Sequence, residues 1–163
     1  MPAKILFTLF GLYILAPSSI WKRSHDYHHA NNSKLFGASI GSYPIYTRQR
    51  FLSASRSDRL AYLAVGHPLR MAFGYVTHFL YSMCIRSFLS SPRRHYDSLI
   101  AVVLHVTLAA SIALLLGWQA LLLAIIVPFS LASAFGAYLF YAQHNFPGVT
   151  FKGSVEWSYD HAA

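Results

Sequence analysis

Ser98-Leu-Ile-Ala-Val-Val-Leu-His105-Val-Thr-Leu-Ala-Ala-Ser-Ile-Ala-Leu-Leu-Leu116 runs for 19 residues without a formal charge. As a helix rising 1.5 Å per residue it covers about 28 Å, close to the apolar thickness of a bilayer. Gly117-Trp118-Gln119 breaks the run, and Gln119 to Gln143 follows as a second uncharged stretch of 25 residues. So short a break predicts an antiparallel transmembrane hairpin, 98–116 and 119–143. Pro128 removes one backbone donor from the second helix and predicts a kink there, with neighbouring groups in a bundle absorbing the loss. The alternative is a buried hairpin in a soluble protein, but uncharged runs this long are rare outside bilayers.

The composition agrees with a membrane protein. Of 163 residues, 55% are hydrophobic and 11% charged, where soluble chains carry about 25% charged. Long apolar runs with 16% aromatic residues exclude a disordered chain. The single cysteine, Cys84, excludes an intrachain disulfide framework and a multi-cysteine zinc site. The formal charge of +8 does not read as nucleic-acid binding, which needs a broad charged face rather than apolar runs.

Twelve of the thirteen basic residues lie between Lys4 and Arg94, ahead of the hairpin, and Lys152 follows it. Both ends of the hairpin are therefore expected on the positive, cytoplasmic side, with Trp118 at the far interface and Arg93 and Arg94 at the near one. Ile5 to Pro17 is too short to span comfortably and reads as an interfacial or re-entrant segment. Residues 71–89 read as an interfacial helix, and Arg48 to Arg70 as a polar, basic connector. The fold class is thus all-α: one transmembrane hairpin, interfacial helices, and a cytoplasmic helix bearing histidines.

That last helix is the segment 21–32, Trp21-Lys-Arg-Ser-His25-Asp26-Tyr27-His28-His29-Ala-Asn-Asn32. His25, His28 and His29 stand at i, i+3 and i+4, which puts three imidazoles on one helix face and turns Asp26 and Tyr27 away. Clustered imidazoles repel one another when protonated, and a metal gives such a cluster a reason to exist. Neutral imidazoles suit zinc, iron, copper or nickel and not calcium or magnesium, which take oxygen ligands. The bland alternative is a polar helix face that happens to carry histidines. The hairpin brings one more histidine back to the same side: His144, in Phe140-Tyr-Ala-Gln-His144-Asn-Phe-Pro147, is a candidate fourth ligand. His105, inside the first membrane helix, reads as a neutral, hydrogen-bonded contact between helices. No role is assigned to it or to His67, His78, His95 and His161.

Other chemistries find little support. The sequence contains no Walker loop or dinucleotide fingerprint. Cys84 lies in an apolar stretch and reads as packing. The five acidic residues are too scattered for the carboxylate set of a ferritin-like di-iron bundle.

These residues resemble the integral-membrane fatty acid desaturases of the acyl-lipid type. Trp21-Lys-Arg-x-His25-x-x-His28-His29-x-Asn is similar to the family's second histidine box. The order that follows also fits: basic connector, interfacial helix, transmembrane hairpin, then Gln143-His144-Asn145-Phe146, similar to the family's additional ligand histidine. Glu156-Trp157-x-Tyr159 resembles the tract that leads toward its third box. The resemblance covers nearly the whole chain, 1–163, as a single partial domain.

It implies a di-iron centre held mostly by histidines, here His25, His28, His29 and His144. It also implies dioxygen as co-substrate, electrons from a ferredoxin or a cytochrome b5, and a double bond introduced into an acyl chain. A methylene hydrogen is not acidic, so a redox metal rather than a side-chain base is needed to remove it. The family's first box, HxxxH, and its third, a second HxxHH, have no match in this sequence. The expectation is therefore an internal fragment or truncated product, inactive alone. A membrane hydroxylase of the same di-iron class and a non-catalytic membrane protein are the alternatives.

Overall fold

The computed structural model describes residues 2–35, 44–143, 145 and 147–158. Every regular element among them is a helix. The first apolar helix is Tyr96–Leu116 and the second Trp118–Ala142, and each is long and apolar enough to cross a membrane. The first starts two residues before the uncharged run, so Asp97 lies in its opening turn. Gly117 joins the two at φ +88°, ψ 171°, a conformation reached almost only by glycine. Leu114, Leu115 and Leu123 are 85%, 81% and 70% exposed. That would be costly in water and is expected in lipid, so this is an integral membrane protein.

Pro128 does not end the second helix. Its ring and missing N–H disturb the turn that reaches back to Ala124, and residues Leu122–Ile126 are π-wound there. The predicted disruption takes the form of a widened turn within one continuous span.

The N-terminal helix, Pro2–Tyr13, packs against the first apolar helix. It stops in a Schellman-type turn: Ala16 N–H donates to Gly11 C=O at 2.8 Å and Leu15 N–H to Leu12 C=O at 3.4 Å. Leu15 occupies the left-handed position, φ +59°, which is strained for a leucine. Its side chain is fully buried, and that burial offsets the strain. A Cβ on Gly11 would stand 2.7 Å from Ala16 O, so this close approach requires glycine. Beyond the turn the chain bends by 101° into the helix Ser18–Ala30. The core sits at this elbow: Leu15, Ala16 and Ile20 pack with Met83, Cys84 and Ala101.

Two short helices, Arg48–Ser53 and Arg56–Val65, form the connector. Thr47 and Ser55 cap them, accepting from Arg50 N–H and Asp58 N–H at 3.1 Å each. Tyr62 fastens the second to the first, stacking on Tyr46 at 4.4 Å and meeting Phe51 at 5.8 Å.

Residues 71–89 do not form one helix. Helix Pro68–Ala72 packs on the second apolar helix, and the π-wound helix Tyr75–Arg86 continues through the turn Ser87–Ser90. A Cβ on Gly66 would stand 3.3 Å from Tyr141, and one on Gly74 3.1 Å from Ser133 O. From Gly66 to Gly74 the chain therefore descends along the second apolar helix, by about 12 Å at 1.5 Å per residue. It then returns along the first. Tyr75 hydrogen-bonds His105 at 2.5 Å, and Ser98 Oγ donates to Met83 O at 3.4 Å. The sequence suggested a segment lying along the interface. The contacts instead give a helical hairpin wedged between the two apolar helices.

Candidate metal centre

The helix Ser18–Ala30 carries the three candidate histidines. Pro17 precedes it with φ −61° and offers no side-chain cap. The first helical N–H groups need acceptors all the same, and Asp97 supplies one from the start of the first apolar helix. Its Oδ2 accepts from Ser19 N–H at 2.9 Å and its Oδ1 from Ser19 Oγ–H at 2.6 Å. A carboxylate at a helix N-terminus is also favoured by the helix dipole.

His95 completes this clamp, with Nδ1 2.8 Å from Ser19 Oγ. The Ser19 proton is committed to Asp97, so Ser19 Oγ accepts and His95 carries its proton on Nδ1. Burial pushes the His95 imidazole below its ordinary 6.5; Asp97 opposes the shift, while Arg94 and Arg23 add to it. Sequence reasoning left His95 unassigned and gave Asp97 no role. Pro17 marks a helix start without a capping side chain but does not point to the residue that supplies the cap.

Along the helix, Trp21 lies against His25, with ring centroids 5.5 Å apart. It also meets Phe140 of the second apolar helix edge-on at 6.1 Å. His25 Nε2 and His29 Nε2 approach to 3.2 Å, and the His28 and His29 rings are 5.6 Å apart. The i, i+4 spacing thus brings His25 and His29 together, and His28 lies beside His29. Asp26 pairs with Lys22 one turn back, and Tyr27 is exposed.

The helix ends at Asn31, whose N–H reaches His28 O at 3.1 Å. The tract after the second apolar helix returns to this end. Leu35 N–H donates to Lys152 O at 2.9 Å and Lys152 N–H to Ser33 O at 3.1 Å. Trp157 Nε1–H donates to Asn32 O at 2.8 Å, and the Lys34 ammonium lies 4.9 Å from the Trp157 ring centroid.

Two imidazoles on one tetrahedral ion, with metal–nitrogen bonds of about 2.1 Å, would place their nitrogens about 3.4 Å apart. The His25–His29 separation fits that donor geometry. Among the described residues no group of three His, Cys, Asp or Glu side chains converges on one point. His144 and His161 lie outside the described residues. His67 caps the helix Pro68–Ala72, its Nδ1 accepting from Leu69 N–H at 3.2 Å. His78 contacts Phe79, and His105 bonds Tyr75. Cys84 is buried, with Sγ donating to Leu15 O at 3.4 Å, and serves packing.

Residues 2–163 match the sequence model of the family described as Fatty acid desaturase. The chain is 32% identical over 160 residues to a protein of Bacillus subtilis (strain 168) named Fatty acid desaturase. The match covers 98% of this chain and 46% of that protein, so the chain spans about half the length of the relative. No solved structure matches.

Proposed function

The chain belongs to the fatty acid desaturase family, and from that premise we propose that it contributes part of a membrane di-iron centre for acyl-chain desaturation. The observation that carries this is the helix Ser18–Ala30: its HxxHH face holds His25 and His29 Nε2 atoms at 3.2 Å, beside the ends of two helices apt to span a membrane. His25, His28 and His29 would be ligands, and His144, four residues beyond Phe140, would approach from the second span. When bound, iron supplies the activation of dioxygen that hydrogen removal from a methylene needs.

The rest of the chemistry belongs to the protein. The Asp97–Ser19 clamp fixes the start of the histidine helix against the first span. Trp21 fixes its first turn against Phe140, and the Asn32–Trp157 bond holds the chain just past its end. A ligand helix held at three points keeps its imidazoles in one geometry, which metal affinity requires. The spans provide a dry route by which an acyl chain reaches this end of the bundle. The histidine-bearing end would face the cytoplasm, where a ferredoxin or cytochrome b5 would deliver electrons.

The test is expression of this chain, and separately of the full reading frame that encodes it, in a host with analysable lipids. A new cis double bond from the full frame, lost on His28→Ala, supports the proposal. A hydroxylated acyl product would move the protein to the hydroxylases. A purified full-frame protein without iron and without a product would leave a non-catalytic membrane protein.

A further inference from the structure

The connector helix Arg56–Val65 has one face occupied and one open. Tyr62 packs on Tyr46 and Phe51, and Asp58 is held at the cap by Ser55 Oγ at 2.7 Å. The other face carries Arg56, Arg59, Leu60 and Leu63, spaced i, i+3, i+4 and i+7. Leu60 and Leu63 are 59% and 56% exposed. The two arginines lie one turn N-terminal to the two leucines, so the face is cationic at one end and apolar at the other.

The position of the helix along the bundle gives this polarity a meaning. The residue that follows it, Gly66, stands against Tyr141 in the last turn of the second span. The leucine end therefore lies level with the end of a membrane helix, and the arginine end lies farther from it along the connector helix. Leu69 and Phe73, 62% and 60% exposed, continue the apolar surface where the chain descends along that span.

We propose that this face docks on the bilayer surface, with Leu60 and Leu63 buried among acyl chains and Arg56 and Arg59 bound to the phosphates of anionic phospholipids. Guanidinium forks match phosphate oxygens bidentately, and their aliphatic stems let the charges stay at headgroup level while the leucines go deeper. Arg48 and Arg70 add positive charge on either side of the helix. A soluble acidic partner fits the arginines but gives the leucines no apolar solvent. The inference does not depend on the desaturase reading.

The test uses the whole chain in vesicles of phosphatidylcholine with and without phosphatidylglycerol, on a Cys84→Ser background. Spin labels at Leu60→Cys, Leu63→Cys and, on the opposite face, Ala61→Cys are compared by oxygen and aqueous-relaxant accessibility. The expected result is oxygen-rich, water-shielded labels at 60 and 63, and a water-exposed label at 61. Immersion should be deeper with phosphatidylglycerol. Arg56→Gln with Arg59→Gln should lower that anionic preference by about thirtyfold, given roughly 1 kcal/mol per basic residue at the surface. Labels at 60 and 63 as wet as the label at 61 would overturn the proposal and leave the face to a soluble partner. Immersion indifferent to phosphatidylglycerol would overturn the phosphate assignment.

Discussion

Trp21 and Phe140 meet edge-on with ring centroids 6.1 Å apart, tying the histidine helix to the second apolar helix. Trp21 is one turn before His25, and Phe140 is four residues before His144. One aromatic contact thus joins the two sequence motifs that carry the candidate ligands. Trp21→Ala should cost about 2 kcal/mol, below the full value for a buried tryptophan because the site is only half-buried. Iron content of the purified full-frame protein should fall while its helical circular dichroism persists. Unchanged iron binding would show that this contact does not set the site.

Asp97 acts across 78 residues as the missing cap of the histidine helix. Asp97→Ala should lower stability by about 1–2 kcal/mol, the usual cost of a lost cap. Asp97→Asn keeps one acceptor oxygen and should lose less. Thermal melts of the detergent-solubilised chain give the comparison. Equal losses for Ala and Asn would show that charge, not hydrogen bonding, is what the helix end uses.

His95 gives the clamp a pH dependence whose sign follows from its lowered pKa. The folded state holds His95 neutral at pH values where the unfolded chain already binds the proton. Unfolding therefore takes up a proton, and stability rises with pH across the window from the lowered folded value to the unfolded 6.5. Above that window the contribution is fully present, and it is lost as pH falls through it. Melting temperatures at pH 7.5 and below pH 6 should differ more for the parent chain than for His95→Asn. Parallel curves for the two proteins would remove His95 from the effect.

Tyr75 and His105 form a hydrogen-bonded pair inside the bundle, and His105 Nδ1 has no partner there. Tyr75→Phe strips the remaining bond from a buried imidazole and should cost about 1–3 kcal/mol. Replacing both, with Tyr75→Phe and His105→Leu, should restore most of that loss, because no polar group is then left buried. A double-mutant cycle on thermal stability measures the difference. A double variant weaker than the sum of the singles would point to a ligand or water held at Nδ1.

The two apolar helices were legible because length and absence of charge are local properties, and the HxxHH face because i, i+4 spacing fixes its own geometry on any helix. Leu122–Ile126 shows the limit of local rules, since Pro128 foretold a disturbance but not that a π-wound turn would absorb it. The Asp97–Ser19 clamp was not legible. Its members are far apart in sequence, and a serine after a proline announces no partner. The wedge from Gly66 to Ser90 was hidden for the same reason. An apolar stretch broken by His78 and Arg86 looks alike at an interface and between helices until Tyr75 is seen beside His105. His144 remains a sequence proposal, outside the described residues.

The wedge also constrains how the molecule is made. Its walls are the first and second spans, and both are synthesised after it. Residues 66–90 leave the ribosome before either wall exists, so during its own synthesis the wedge has only the elbow around Leu15, Ala16 and Ile20 to fold against. It must wait at the membrane surface and enter sideways once Tyr96–Leu116 and Trp118–Ala142 are inserted. Biogenesis therefore runs against chain order, and a ribosome stalled after residue 95 would leave this segment without its groove.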